Sequence, residues 1–169
     1  MTTTVKLYSL NFTQSKTYLF AALFVAGNLL LPQLCHLLPM GGSALLPIYF
    51  FSLIAAYKYG LKVGLLTAIL SPLANSLLFG MPTMAVLPII LVKSALLATF
   101  AAIAASYFKK ISFVGILLAV IAYQAVGAGI QWAMTQNFAI AAEAVRVALP
   151  GMLIQLVGGY ALLKAIAKV

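Results

Sequence analysis

Residues 85–134 read AVLPIILVKSALLATFAAIAASYFKKISFVGILLAVIAYQAVGAGIQWAM, which is two long apolar stretches joined by the pair Lys109-Lys110. About 20 mostly apolar residues in a helix are enough to cross the hydrocarbon core of a bilayer. Each half of this stretch reaches that length. A short basic connection is typical of a cytoplasmic loop between two membrane-spanning helices. The stretch therefore predicts a helical hairpin in a membrane.

The composition of the whole chain extends this prediction. Of the 169 residues, 65% are hydrophobic and 7% are charged, and Glu143 is the sole acidic residue. Soluble domains usually carry about 25% charged residues. The net charge of +9 would suit a nucleic-acid surface only if the basic residues shared one polar face, whereas here they alternate with apolar segments. We predict an all-α integral membrane protein with one domain over residues 1–169.

The apolar segments predict six transmembrane helices. They cover residues 16–38, 44–57, 60–79, 85–108, 111–134 and 144–167. The second is shorter than a bilayer requires, so the bilayer or the flanking residues have to accommodate it. Pro47, Pro88 and Pro150 are expected in the first turn of a helix, where the missing N–H has no helical partner. Pro72 lies in mid-span and predicts a kink.

The basic residues predict the orientation of the chain. Most of them flank the first span, the connections between spans two and three and between spans four and five, or the end of the chain: Lys6, Lys16, Lys58, Lys62, Lys109, Lys110, Lys164 and Lys168. Basic loops stay on the cytoplasmic side of the membrane. Both termini are therefore predicted to be cytoplasmic, with loops 39–43, 80–84 and 135–143 outside.

The reactive residue types are too few to predict catalysis. Cys35, His36 and Glu143 are the single representatives of their types, and they form no recognisable set of nucleophile, base and orienting group. Gly41-Gly42 lacks the lysine and hydroxyl residue of a phosphate-binding loop. Two adjacent residues do not close a metal site, so His36 is left as a ligand contact or a structural residue. We expect no enzyme, no metal and no cofactor.

Lys93 is the basic residue that lies deepest in a predicted span. An unpaired ammonium near mid-membrane costs about 2.5 to 3.5 kcal/mol on insertion scales. An anionic group on a ligand would offset this cost. A partner within the protein, either Glu143 or a backbone carbonyl, would offset it equally well, and the sequence leaves both explanations open.

Amide side chains accompany Lys93 in the outer half of the predicted membrane region. Gln124 and Gln131 are seven residues apart, which places them on nearly the same face of the fifth span. Trp132 either lines the same space or anchors the helix at the interface. Asn75 is a further candidate because a buried amide needs partners.

The start of the sixth span adds one more polar candidate. Glu143 and Arg146 are three residues apart and can pair on one helix face. Gln155 lies on the opposite face from Arg146 in a regular helix, so Arg146 is preferred and Gln155 is kept in reserve. The predicted ligand carries a carboxylate or other acceptor groups. Its predicted contacts are His36, Asn75, Lys93, Gln124, Gln131, Trp132 and Arg146.

Small residues predict a second functional surface, on the first span. Ala22 and Ala26 are four residues apart, a spacing that lets another helix approach closely. Short motifs follow along the chain: LPMGGSALLP at residues 38–47, YGLKVG at 59–64, SPL at 71–73 and FGMP at 79–82. With these motifs and about six spans, the whole chain resembles the substrate-binding (S) components of energy-coupling factor (ECF) vitamin transporters.

This resemblance implies a place in an ABC importer in the plasma membrane of a prokaryote. Ala22 and Ala26 would contact a transmembrane coupling subunit, which works with two cytoplasmic ATPases. The loop with Gly41 and Gly42 would close over a vitamin or a related compound, and the subunit would topple to release it inside. Family members often carry acidic or aromatic residues in the fourth span, where this chain has Lys93-Ser94, so the substrate is left open.

Two other functions are compatible with the sequence. A membrane scaffold of a cell-shape complex, similar to the rod-shape protein, would use the polar residues as contacts between helices. It would fill with side chains the space that a binding protein leaves open. A small oligomeric channel would need a continuous polar stripe along a helix, and no span of this sequence has one.

Overall fold

The structure is a computed structural model that describes residues 7–35 and 45–167. Its regular elements there are helices, in the order α1 (Ser15–Cys35), α2 (Pro47–Tyr59), α3 (Leu61–Phe79), α4 (Leu87–Phe108), α5 (Phe113–Thr135) and α6 (Phe138–Ala165). In this part of the chain, every helix except α2 is long and apolar enough to cross a membrane. The chain is therefore a multi-pass helical membrane protein.

The outer surface of the bundle is apolar. Large side chains with more than half of their surface exposed include Leu19, Leu77 and Tyr107. Such an exposed surface is unfavourable in water, whereas lipid tails solvate it at no cost. The exposed apolar surface thus agrees with the hydropathy of the helices.

The short helix α2 lies at the centre of the bundle. It contacts α1, α3, α4 and α6, and ten of its 13 residues are buried. At 1.5 Å per residue it extends about 20 Å, against about 42 Å for the 28 residues of α6. The sequence predicted a short second helix, and the surrounding helices explain why it is tolerated, since they shield its backbone from lipid.

Three segments meet at the end of α2. The Tyr57 hydroxyl donates to the Lys110 carbonyl at 2.9 Å and accepts from the Ser112 N–H at 3.1 Å. The Lys58 ammonium donates to the carbonyls of Ile166 and Ala167 at 2.9 and 3.3 Å. Lys58 was predicted in a loop, but it lies in the last turn of α2 and is fully buried. These contacts place the end of α2, the α4–α5 connection and the end of α6 together.

The predicted start of the sixth helix was wrong. We expected a loop at 135–143, but α6 begins at Phe138 because the Asn137 side chain accepts a hydrogen bond from the Ile140 N–H at 3.2 Å. Polar caps of this kind set helix boundaries independently of hydropathy. As a result, Pro150 lies inside α6 and not in its first turn. Pro47 and Pro88 do occupy first turns.

Candidate ligand-binding cavity

A cavity of about 450 Å³ lies where α2 begins, between α4, α5 and α6. Because α2 is short, the longer helices extend past its first turn and flank this space. The walls are mostly aliphatic. The lining residues are Leu46, Ile48, Tyr49, Val86, Ile89, Ile90, Lys93, Gln124, Gln131, Glu143, Ala144, Val147 and Ala148.

Lys93 is the cation of this lining. Only 7% of its surface is exposed, and its ammonium donates a hydrogen bond to Oε1 of Gln131 at 2.7 Å. The sequence had left a ligand, Glu143 or a backbone carbonyl as its partner. Its partner within the protein is neither Glu143 nor a backbone carbonyl but a neutral side-chain amide. A hydrogen bond to a neutral amide orients the ammonium but does not neutralise its charge.

Gly127 makes room for the lysine. A Cβ atom on Gly127 would lie 2.8 Å from Cγ of Lys93 and 3.1 Å from its Cε. The aliphatic stem of Lys93 therefore lies directly against the backbone of α5, as small residues in membrane helices allow. This contact directs the ammonium along α5 toward Gln131, one turn further on.

Gln124 is the second amide that the sequence predicted for this site. It lines the cavity and is 3% exposed. Its place in the lining gives the amide access to the open space of the cavity. An amide side chain carries two N–H donors and an acceptor oxygen. Gln124 therefore offers a donor and an acceptor to a molecule in the cavity.

The sequence analysis missed the aromatic wall of the cavity. Tyr49 lines it and packs against Tyr123, with ring centroids 5.9 Å apart. Behind this wall, the Tyr123 hydroxyl and the Gln155 amide are buried and have no hydrogen-bond partner among the described residues. Gln155 is fully buried and does not line the cavity. Tyr49 could have been predicted as a cavity residue from its position in the sequence, two residues after the proline that starts α2.

Glu143 and Arg146 form the predicted pair on α6. Nε and a terminal nitrogen of Arg146 each donate to a Glu143 oxygen at 2.8 Å, and both side chains are exposed. Glu143 lines the cavity at its rim, but Arg146 does not line it. Trp132 is also outside the lining, with its ring 5.8 Å from that of Phe138 and 52% of its surface exposed.

Asn75 lies in a different polar cluster, between α1, α2 and α3. Its amide donates to the carbonyls of Asn28 and Ser71 at 2.8 and 3.1 Å. The Asn28 amide donates to the hydroxyls of Ser52 and Ser71, and its oxygen accepts from the Phe51 N–H at 3.1 Å. These bonds join three helices, and none of the residues lines the cavity. Asn28, the one amide in the middle of apolar α1, had not been singled out.

Two alanines of α1 that the sequence analysis singled out lie on its outer side. Ala22 and Ala26 are exposed, whereas Ala21, Phe24 and Asn28 face the bundle. Nothing in the described structure covers the two alanines. The predicted ligand contact His36 and the predicted gating residues Gly41 and Gly42 lie outside the described residues.

Comparisons with protein-family models, with curated proteins and with solved structures find no match to this chain. The function is therefore inferred from the chain's own residues. A second cavity, of about 530 Å³, lies between α2, α4 and the residues before α1. Its hydroxyls of Tyr57, Thr99 and Ser106 already donate to backbone carbonyls. The cavity with Lys93 and Gln124 is thus the better candidate site.

Proposed function

We propose that this chain is the substrate-binding membrane subunit of an ECF-type importer and captures a vitamin or a related small micronutrient. The observation that carries the proposal is the cavity at the start of α2. It combines aliphatic walls, the amide of Gln124 and a buried ammonium that has no counter-ion among the described residues. Small-molecule sites are typically concave and mostly apolar, with a few placed polar groups.

The direction of import follows from the charges. Lys62 in the first turn of α3, and Lys109 and Lys110 in the α4–α5 connection, lie at the end of the bundle opposite to the cavity. Basic connections stay in the cytoplasm, so six spans with cytoplasmic termini would open the cavity to the outside of a prokaryotic plasma membrane. The subunit would then meet its ligand before any energy is used.

Energy coupling is assigned to other subunits. We infer that this chain is not an enzyme and that two cytoplasmic ATPases drive import through a transmembrane coupling subunit. The exposed Ala22 and Ala26 of α1 would form the contact with that subunit, because small residues let helices pack closely. A cell-shape scaffold is the alternative. The Asn28 cluster would serve it equally well, but the open cavity has no role in a scaffold.

Mass spectrometry of the detergent-purified protein tests the proposal. We expect one vitamin-like molecule to co-purify per chain. Ala144→Phe should displace it, because this side chain lines the cavity, whereas Ala142→Phe, on an exposed part of α6, should retain it. An empty protein that captures cell-shape proteins would instead favour the scaffold.

A further inference from the structure

The charges in the cavity are unequal. In the part of the chain that the structure describes, its lining holds one cation, Lys93, and one anion, Glu143. Glu143 is neutralised by Arg146 through two hydrogen bonds of 2.8 Å. Lys93 bonds to a neutral amide, which supplies no counter-charge. The interior of the cavity therefore carries one uncompensated positive charge, which matches a ligand with one negative charge.

The donors around this charge suit a carboxylate. An ammonium has three N–H donors, and Gln131 takes one of those of Lys93. The Gln124 amide adds two more donors. The first residues of α2 also line the cavity, so the positive end of that helix dipole faces it. A carboxylate accepts several hydrogen bonds through its two oxygens.

A phosphate ester fits the cavity less well. It carries about −1.5 to −2 charges at neutral pH, and the described residues of the lining include one cation, Lys93, to balance them. The cavity therefore favours an unphosphorylated ligand.

The walls specify the remainder of the ligand. Most of the lining is aliphatic: Leu46, Ile48, Val86, Ile89, Ile90, Ala144, Val147 and Ala148. Hydroxyl groups buried against such walls would lose their hydrogen bonds to water without replacing them, which is unfavourable. A ligand with a largely apolar body avoids this cost. The volume of about 450 Å³ is in the range of sites for small molecules.

We propose that the cavity binds an unphosphorylated monocarboxylate with an apolar body, its carboxylate between Lys93 and Gln124. This inference rests on the proposed function and names the substrate class of the same site. It assigns Lys93 as the residue that selects the acid over its uncharged analogues.

Pairs of acids and their neutral analogues test the charge requirement. Binding of lipoate, biotin and nicotinate to the detergent-purified protein is measured beside lipoamide, biotinamide and nicotinamide. Thiamine, riboflavin and pyridoxal phosphate complete the panel. We expect at least one acid to bind at least tenfold more tightly than its neutral analogue, which is about 1.4 kcal/mol.

The possible failures are distinguishable. If thiamine, riboflavin or pyridoxal phosphate binds and no acid does, or if an acid and its analogue bind equally, this inference is overturned while the proposed function stands. If no compound of the panel binds and no small molecule co-purifies, both are overturned.

The variant Lys93→Met distinguishes loss of a charge contact with the ligand's carboxylate from a general loss of folding. We expect it to weaken the acid at least tenfold while the affinity of the neutral analogue stays within about twofold. Lys62→Met is the matched control, because Lys62 lies at the opposite end of the bundle and bonds to Asn11. Equal loss for acid and analogue in Lys93→Met would contradict the assignment.

Discussion

Lys93 reaches its position because α5 carries no side chain at Gly127. Its stem occupies the space where a Cβ would lie, and its ammonium then meets Gln131. The spacing of Gln124 and Gln131 made the amides predictable, because two residues seven apart share a helix face. The space at Gly127 that holds the lysine stem, the lysine slot, was not predictable, since it depends on how closely α4 and α5 pack.

We expect Gly127→Ala to leave the fold intact and to weaken ligand binding at least tenfold. Alanine favours a helix over glycine by about 1 kcal/mol, but the new methyl group would push the flexible lysine stem away from α5. Gly129→Ala is the control, because no atom lies within 4 Å of a Cβ at that position. Ligand retention and thermal unfolding are measured for both variants. Equal retention by the two would show that the slot does not position Lys93.

At the scale of elements, α1 has an inner and an outer side with different roles. The inner side carries Asn28, whose hydrogen bonds to Ser52 and Ser71 join α1 to α2 and α3. The outer side carries the exposed alanines. The alanine spacing was visible in the sequence, whereas the Asn28 cluster was not, because its partners come from residues 24 and 43 positions away.

Because the outer side of α1 lies away from the cavity, we expect a substitution there to impair transport without impairing ligand binding. Ala26→Leu should reduce uptake by cells at least tenfold, since the larger side chain would keep a coupling helix at a distance. The isolated variant should bind ligand as the unaltered protein does, because Ala26 faces away from the cavity. Ala133→Leu, at an exposed position of α5, should preserve both activities. If cells with Ala26→Leu take up the ligand normally, the outer side of α1 does not contact the coupling subunit.

At the scale of the whole molecule, one short helix among longer ones determines where a ligand can enter. The hydropathy of the chain predicted the short α2, and the structure shows that the cavity begins where α2 does. The cavity itself could not be predicted from the sequence. It arises because α4, α5 and α6 pack together beyond the first turn of α2, and the extra turns of α6 before residue 144 depend on the Asn137 cap.

The orientation of the bundle decides whether this cavity can serve import. Import requires the start of α2 to face outward, and the basic connections predict that orientation. In a Cys35→Ala background, an impermeant maleimide added to intact cells should label Gln136→Cys, beside the cavity end, and should label Lys110→Cys only after lysis. Gln136 is exposed and ends α5, and Lys110 is exposed and follows α4, so both thiols are accessible once the reagent reaches them. The reverse pattern would open the cavity to the cytoplasm, where a capture subunit could not meet an external nutrient, and would contradict the proposed importer.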